Sequence, residues 1–210
     1  MNRDTIRNEA RFIGDGTERE CFVLPDMPQR CIKISKPGHG RKQHEHDLKL
    51  YKKVGKRPEL WKHIARFHGI MDTPAGEGLV FETVRDFDDE ISKSLLHFLY
   101  HDHKSIDERM FQALLDLEAF ILRYNIILKD PSPSNLLYRR LDPERGSFIL
   151  IDGIEIIDSV FPPLQIWARR KVKRQWKKVI DRMLKETKNS PDLQKQIQKF
   201  LIRKEEIQRS

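Results

Sequence analysis

"ILKDPSPSNLLY", residues 127–138, lies between a long amphipathic helical pattern and a strand-like run. Its Asp, Pro, Ser and Asn residues are typical of loops. A surface loop needs only some of these residues in order to turn. The stretch therefore poses a choice for Asp130 and Asn135, which are either turn residues or a pair of side chains facing a common ligand.

Length and composition set the first bounds. The 210 residues are 38% hydrophobic and 34% charged, which predicts a soluble protein of one large domain or two small lobes with a modest core. No apolar run approaches the length of a membrane span, and the N-terminal sequence lacks a signal-peptide pattern. Cys21 and Cys31 provide neither a disulfide framework nor a zinc site. We therefore expect a cytoplasmic protein without a membrane span.

The net charge of +8 is unevenly distributed along the chain. Lysine and arginine concentrate in residues 41–57 and 168–182. Such patches can bind nucleic acid, an acidic lipid surface or phosphorylated ligands. The alternative is an ordinary solvated helix face.

The first 84 residues are predicted to form a small antiparallel β-unit with one helix. In "RCIKIS" (30–35) the residue types alternate with the period of two that indicates a half-buried strand. Residues 41–54 carry apolar side chains at helical spacing. "RFHGIMDT" (66–73) and "GLVFETV" (78–84) are predicted to form a second hairpin. We assign residues 1–84 to an N-terminal lobe.

An acidic connector follows, and a long helix is predicted after it. Its apolar residues recur every three or four positions from Ile106 to Tyr124. Ser105 and Glu108 match a capping box at its start, and its end is predicted near Asn125. We assign residues 85–160 to the second lobe.

The rest of the chain is predicted to contain one or two short strands and two helices. "GSFILIDGIEIID" (146–158) matches one or two buried strands broken at Gly153. From Leu164 onward the pattern is helical and basic, with a break at "KNSPD" (188–192). Residues 161–210 are assigned to these C-terminal helices.

Three features of the first lobe are candidates for binding phosphate. Gly14 and Gly16 flank Asp15 between two strands, where small residues let backbone amides approach a phosphate, although such a pair usually only makes a turn. Lys33 lies on the next strand and is alternatively a lysine whose stem covers apolar surface. Glu45 and Asp47 on the following helix are possible anionic partners for Lys33, or ordinary exposed acids.

The second lobe adds Asp130 and Asn135, and then Asp152 directly before a glycine. An Asp at a strand end is more often a cap or turn residue than a metal ligand. Together with the first lobe, however, these residues follow the order that phosphoryl transfer requires. That order is a Gly-rich cover, a lysine for the phosphates, an acid for the lysine, a base, and oxygen ligands for magnesium.

The chain resembles a reduced protein-kinase-like fold over roughly residues 10–185 and, more narrowly, the bacterial YrbL family, described as PhoP regulatory network proteins. The resemblance implies an α+β, bilobal fold with a small antiparallel β N-lobe and a reduced helical C-lobe. It rests most on these segments: "QRCIKI" (29–34), "DLKLYKKVGKR" (47–57), "FHGIMDT" (67–73), "GLVFETVRDFD" (78–88), the loop 128–137 and "IDGIE" (151–155).

In the first lobe the resemblance implies a site for ATP. Lys33 falls on the kinase strand lysine and Asp47 on the helix acid that holds it, with Glu45 as the alternative. The backbone from Glu82 to Val84 would contact adenine.

In the second lobe the resemblance implies the catalytic and metal residues. "LKD" (128–130) stands where kinases have H-R-D, so Asp130 would be the general base. Asn135 keeps the catalytic-loop spacing of five residues and would bind Mg²⁺. "DGI" (152–154) stands where kinases have D-F-G, so Asp152 would be the second magnesium ligand.

Several positions depart from the kinase pattern. Arg19 stands at the third glycine of the phosphate loop, Leu128 at the histidine of H-R-D, and Ser132 at the loop lysine. The glycine of "DGI" comes one position early, and no A-P-E-like activation segment follows. These departures count against recognition of a protein substrate and favour nucleotide binding over phosphoryl transfer.

Three smaller groups of residues have competing interpretations. His97, His101 and His103 have spacing that could reach a metal, without an acid or cysteine set to support it. Cys21 and Cys31 are interpreted as free core thiols on neighbouring strands that need not face each other. Two tryptophans of the basic helix, at positions 167 and 176, are expected to pack in the core rather than stack on bases.

The predicted function is an ATP-dependent phosphotransferase with an alcohol group as acceptor. The alternative is a pseudokinase, a nucleotide-binding regulatory module without turnover. The expected partners are ATP with Mg²⁺ and an acidic or protein acceptor that the sequence does not identify. Nucleic acid is not expected, because the basic segment 168–182 has no aromatic-interleaved binding motif.

Overall fold

The computed structural model describes residues 10–38, 41–73 and 75–209. The chain is an α+β protein that divides into two compact units, Met1–Ile91 and Ser92–Ser210. The acidic connector belongs to the first unit, in which Arg85 forms an isolated antiparallel bridge with Ile91. The sequence-based assignment placed that connector with the second lobe.

The first unit is an antiparallel sheet with one helix. Its strand order is β1-β2-β3-β5-β4, so the strand that carries Lys33 lies at the centre. The elements are β1 (Arg11–Asp15), β2 (Arg19–Leu24), β3 (Met27–Ser35), α1 (Arg41–Val54), a 3-10 turn (Pro58–Lys62), β4 (Phe67–Thr73) and β5 (Gly76–Glu82).

Strand β3 alternates as predicted, but it is covered on more than one face. Ile32 and Ile34 are buried in a small apolar core on one face. On the other face Lys33 is partly buried, with its Nζ 5.0 Å from the centre of the Phe81 ring. Helix α1 packs on this face through Tyr51, whose ring lies edge-on to Phe81 at 4.8 Å. The helix therefore covers the face that a half-buried strand would leave open.

The second unit contains two small sheets and four helices among its described residues. Its elements are β6 (Lys93–Ser94), α2 (Leu95–His101), a 3-10 turn (His103–Ser105), α3 (Glu108–Arg123), β7 (Ile126–Leu128), a 3-10 turn (Pro133–Asn135), β8 (Leu136–Arg140), β9 (Gly146–Leu150), β10 (Ile154–Ile156), α4 (Pro162–Glu186) and α5 (Pro191–Arg209). Strands β6, β8 and β9 form one sheet, and β7 pairs with β10.

The start of α3 differs from the predicted capping box. The N-cap is Asp107, whose side chain accepts a hydrogen bond from the Met110 amide (3.1 Å). Ser105 belongs to the preceding 3-10 turn, so the prediction that it caps the helix is wrong. Asp107, two residues nearer the helix, caps it instead, because its carboxylate accepts a hydrogen bond from a free amide of the first turn. The predicted end is confirmed, since Asn125 takes the left-handed conformation (φ 51°).

Helix α2 was not predicted, because it is too short for a clear period. Ser94 caps it by accepting a hydrogen bond from the His97 amide (3.2 Å). Leu95, Phe98 and Leu99 form its buried side. A seven-residue helix of this kind is stabilised mainly by its packing.

The last two helices, α4 and α5, were predicted in the correct order and with the correct break between them. Trp176 is buried as expected, but Trp167 is 47% exposed, so the prediction that Trp167 packs in the core is wrong. Across residues 10–38, 41–73 and 75–209, no helix is both long and apolar enough to cross a bilayer.

Candidate functional site

In the first unit, Asp47 forms a buried ion pair with Arg19. Arg19 Nη1 lies 2.7 Å from Asp47 Oδ2, and each side chain is only 7% exposed. Gln43 adds a hydrogen bond to the other carboxylate oxygen (3.3 Å). The pair joins β2 to α1, and thus ties the helix to the sheet next to the strand of Lys33. The predicted pairing of Asp47 with Lys33 stays a prediction.

Arg19 is a residue whose structural role the sequence analysis missed. It stands where the kinase pattern has a glycine of the phosphate loop, and its side chain is turned inward onto α1. The available signal was weak, since Arg19 and Asp47 are 28 positions apart in the sequence. Nothing local connects an arginine at a strand start with an acid in the middle of a helix.

The Gly-rich segment forms the turn between β1 and β2. Gly14 is paired with Cys21. The Gly16 amide donates to the Arg19 carbonyl oxygen (2.8 Å), and a Cβ at Gly16 would lie 3.2 Å from that oxygen. The tight turn thus explains why position 16 is a glycine, and the Gly16 amide is already engaged in a hydrogen bond within the turn. The phosphate contacts predicted for Gly14 and Gly16 stay predictions.

The segment after β5 has one backbone amide that stands apart. The Glu82 amide donates to the Arg66 carbonyl (2.8 Å) and the Thr83 amide to the Gln29 carbonyl (2.9 Å). For Val84, which is buried, no amide hydrogen bond to another described residue is found. The adenine contacts predicted for the backbone from Glu82 to Val84 stay predictions.

In the second unit, strands β7 and β10 hold the two predicted loops side by side. Leu128 pairs with Ile154, and the amides of Lys129 and Asp130 both donate to the Gly153 carbonyl (2.6 and 3.3 Å). The strand end that stands where kinases have H-R-D thus meets the strand start that stands where they have D-F-G. A short apolar β-ladder fixes the backbones from which the candidate side chains project.

The side chains of Asp130 and Asn135 are in direct contact. Asn135 Nδ2 donates to Asp130 Oδ2 (2.9 Å) and to the Asp130 carbonyl (3.3 Å). The turn between them is capped by Ser132, which accepts from the Ser134 amide. The side-chain oxygen of Asn135 is then directed away from Asp130, because the amide nitrogen occupies the contact. The structure brings these two predicted residues together.

The backbone of the neighbouring loop requires a glycine at position 153. Gly153 has φ 65°, and a Cβ there would lie 3.0 Å from Asp130 Cβ and 3.2 Å from the Asp130 nitrogen. Its amide donates to Asp152 Oδ1 (2.8 Å). A side chain at this position would push the Asp152 loop away from Asp130. The glycine that comes one position early relative to D-F-G therefore lets the two loops touch.

Arg182 is a further residue of this site that the sequence analysis missed. It projects from α4, and its Nη1 lies 3.2 Å from Asp130 Oδ1. Both side chains are partly open to solvent, at 43% for Arg182 and 58% for Asp130. The only available signal was the basic helical pattern, and nothing in it indicates which of its cations faces the loop.

The donor atoms near Asp130 fit magnesium. Mg²⁺ prefers hard oxygen ligands such as carboxylates and amide oxygens. Asp152 supplies a carboxylate, and Asn135 supplies an amide oxygen that its bond to Asp130 leaves available. These two residues are the ones that would hold the ion.

The other candidate groups lie apart from this loop in the sequence. The rings of His97 and His101 are 5.2 Å apart, and burial and the neighbouring imidazole lower the pKa of His97. His103 bonds through Nε2 to the Leu99 carbonyl. Over the part of the chain that the structure describes, no three His, Cys, Asp or Glu side chains are grouped closely enough to hold a metal.

The two cysteines of the first unit are free, as predicted. Cys31 is buried and Cys21 is half-buried. A hydrogen bond of the Cys31 thiol with Cys21, together with burial, raises the pKa of Cys31 far above its usual range. The two thiols thus do contact each other, because they lie diagonally on one face of neighbouring strands.

Comparison with known proteins confirms the predicted resemblance to the YrbL family. The family described as "PhoP regulatory network protein YrbL" matches residues 6–188. The YrbL proteins of Escherichia coli (strain K12) and of Shigella flexneri are each 31% identical to this chain over 180 residues, covering 82% of this chain and 85% of the relative. The chain therefore belongs to the YrbL family of PhoP regulatory network proteins.

Proposed function

We propose that this protein is an ATP-dependent phosphotransferase of the protein-kinase-like class, with an alcohol group as acceptor. The observation that carries the proposal is the contact among Asp130, Asn135 and the Asp152–Gly153 backbone. Catalytic base and metal ligands on adjoining loops are what phosphoryl transfer requires, because that reaction depends on positioning and charge neutralisation.

The proposed reaction assigns one role to each residue. The acceptor oxygen forms a bond to the γ-phosphorus of ATP, the bond from that phosphorus to the ADP oxygen breaks, and the acceptor proton passes to the Asp130 carboxylate. Asn135 and Asp152 would hold Mg²⁺, which neutralises phosphate charge when bound. In the first unit, Lys33 would contribute a cation for phosphates and Val84 an amide for adenine.

In this proposal Arg182 supplies the positive charge near the transferred phosphate that the loop itself lacks. Ser132 stands where kinases have a lysine near the transferred phosphate, so the loop itself brings no cation to that point. The Arg182 guanidinium reaches Asp130 from α4. A guanidinium binds phosphate oxygens well, so Arg182 would steady Asp130 and add positive charge beside the reacting group.

The alternative is a pseudokinase that binds nucleotide without turnover, and one observation favours it. Both carboxylate oxygens of Asp130 already have partners, Arg182 on Oδ1 and Asn135 on Oδ2. An acceptor hydroxyl must share or displace one of them. Displacement of Arg182 is the easier of the two, because Asn135 is also held by a second hydrogen bond to the Asp130 carbonyl.

The phosphotransferase and pseudokinase hypotheses both require nucleotide binding, which can be measured directly. A ligand at a hundredfold excess over its Kd stabilises the folded state by about 2.7 kcal/mol, so a melting scan with Mg-ATP should show an increase in Tm. Asp152→Asn should reduce the magnesium-dependent part of that increase, and Glu155→Gln on β10 provides a matched control. Absence of any shift with purine nucleotides, with no heat of binding by calorimetry, would contradict both readings.

A further inference from the structure

The first turns of α4 expose apolar side chains to an unusual degree. Val160 is 95% exposed, Phe161 62%, Ile166 53% and Trp167 47%. Together with Leu164, also exposed, these residues are called the apolar tip. Single exposed apolar residues are common, but a contiguous group of them marks an interaction surface.

The helix beyond the apolar tip is anchored on one side and strongly basic on the other. Ala168, Val172 and Trp176 are buried against the second unit. Residues 159–180 contain seven lysines or arginines and no Asp or Glu. Six of these cations are exposed and are called the basic shaft: Arg169, Arg170, Lys173, Arg174, Lys177 and Lys178.

The apolar tip is open on all sides of the helix. Successive helical residues are rotated by about 100°, so Ile166 and Trp167 emerge about 200° and 300° around the axis from Leu164. All residues from Phe161 to Trp167 are exposed. A partner with a flat surface would cover only part of such a tip. A fluid medium that closes around the helix end would cover all of it.

The positive charge beside the apolar tip distinguishes between two possible partners, a second copy of this chain and an anionic lipid surface. A second copy of this chain would bring its own basic shaft against the first, and like charges in contact disfavour association. Lysine and arginine beside an apolar, tryptophan-containing segment are typical of attachment to anionic lipid surfaces. Trp167 fits this setting, since Lys171 Nζ lies 4.7 Å from its ring centre.

We propose that the start of α4 binds the surface of an anionic lipid bilayer. The apolar tip enters the headgroup region, and the basic shaft contacts the lipid phosphates from outside. This surface does not depend on the proposed phosphotransferase activity.

Vesicle sedimentation with the purified full-length chain tests the proposal. The chain should pellet with vesicles of phosphatidylcholine mixed with phosphatidylglycerol, and not with phosphatidylcholine alone. Phe161→Ser/Trp167→Ser should lower the partition coefficient at least about tenfold. Arg170→Glu/Arg174→Glu should lower it by about as much or more, and high salt should mimic that change.

Matched variants on α5 provide the controls. Lys195→Glu/Lys199→Glu has the same charge change and spacing as the basic-shaft variant, and Ile202→Ser removes another exposed apolar side chain, 59% exposed; neither should reduce binding more than about twofold. Circular dichroism melting should show all four variants folded, because every substituted side chain is exposed.

Three results would overturn the proposal. One is failure of the wild-type chain to pellet with anionic vesicles. Another is an α5 charge variant that loses as much binding as the basic-shaft variant, since net charge alone would then explain the attraction. The third is a wild-type dimer that Phe161→Ser/Trp167→Ser dissociates, because the apolar tip would then be covered by a second copy or a protein.

Discussion

Each unit of this protein contains a salt bridge between an arginine and an aspartate. The two salt bridges differ in solvent exposure and in the elements that they join. Arg19 and Asp47 join β2 to α1 and are 7% exposed each. Arg182 and Asp130 join α4 to the loop after β7 and are 43% and 58% exposed. The first pair is part of the interior, and the second lies at the candidate site.

Solvent decides what each pair can do. Breaking a buried pair by removing one partner costs about 3–5 kcal/mol, because the other charge is left without compensation. An exposed pair contributes about 0–1 kcal/mol at most, since water screens it and both side chains lose freedom. We infer that Arg19–Asp47 stabilises the fold, whereas Arg182–Asp130 would act in the proposed phosphoryl transfer.

The largest expected effect is on turnover in Asp130→Asn. An amide cannot accept the acceptor proton, so phosphoryl transfer from Mg-ATP should fall by about 10²–10⁴-fold. The affinity for Mg-ATP should remain close to that of the wild type, because in the proposed reaction Asp130 contacts the acceptor rather than the nucleotide. Transfer is measured with labelled ATP and affinity by calorimetry.

The matched comparison for this variant is Asp152→Asn, which removes a proposed magnesium ligand. It should weaken both magnesium-dependent nucleotide binding and turnover. In a pseudokinase only the binding defect exists, because no turnover is there to lose. Undiminished turnover in Asp130→Asn would show that Asp130 is not the base.

The next largest effect is on stability in Asp47→Asn. The substitution leaves the Arg19 guanidinium buried beside a neutral amide, so the free energy of unfolding should fall by about 3–5 kcal/mol. Urea denaturation measures this change. Glu45→Gln on the exposed side of the same helix should leave stability within about 0.5 kcal/mol.

A double variant sharpens this test of the buried pair. Arg19→Met/Asp47→Leu removes both charges and should recover much of the lost stability, because no unpaired charge remains in the interior. If Asp47→Asn alone is as stable as the wild type, the pair does not fix the fold and the contrast between the two units fails.

A smaller effect is expected for Arg182→Gln. Loss of the guanidinium beside Asp130 should slow transfer about tenfold, an estimate at the low end for one electrostatic contact at a reacting group. Stability should change by less than about 1 kcal/mol. Arg182→Lys should restore part of the rate, and Arg174→Gln on the outer side of α4 should change neither quantity. A loss of several kcal/mol in the free energy of unfolding of Arg182→Gln would show that the Arg182–Asp130 pair stabilises the fold, as the Arg19–Asp47 pair is expected to do.

These two arginines show what the sequence could not reveal. The strands of the first unit, β9, β10, α1, α3 and the C-terminal helices follow from apolar periodicity and turn residues, which act over a few positions. Strands β7 and β8 were missed, because they fall partly within the stretch 127–138 that was interpreted as a loop. The Asp130–Asn135 contact follows from a fixed loop spacing of five residues. Arg19–Asp47 and Arg182–Asp130 instead depend on which helix packs against which strand, and a single sequence carries no local signal for that.

The remaining errors have the same origin. Helix α2 is too short for its period to be visible, and its existence depends on burying Leu95 and Leu99. Trp167 is of a residue type that is usually buried, but it lies in the exposed first turns of α4. Ser105 and Asp107 both fit a helix start, and only the backbone path distinguishes them.

A third arginine–aspartate contact, between Arg109 and Asp107, gives the smallest expected effect. Arg109 Nε donates to Asp107 Oδ2 (2.7 Å), but the same carboxylate also caps α3 through the Met110 amide. Burial raises the pKa of Asp107, but the hydrogen bonds from Arg109 and from the Met110 amide outweigh it, so the pKa lies below its ordinary value.

Asp107→Ala should lower the free energy of unfolding by about 1 kcal/mol at neutral pH, the usual cost of losing an N-cap. Because the folded-state pKa is depressed, this contribution is complete above the unfolded pKa of about 3.9 and is lost as the pH falls through the folded value. The difference between wild type and variant, measured by urea denaturation, should therefore shrink below about pH 4. Asp107→Asn should keep most of the cap, because an amide oxygen also accepts from Met110, and its stability should lack this pH dependence. A loss in Arg109→Gln as large as in Asp107→Ala would show that the ion pair, and not the cap, stabilises the start of α3.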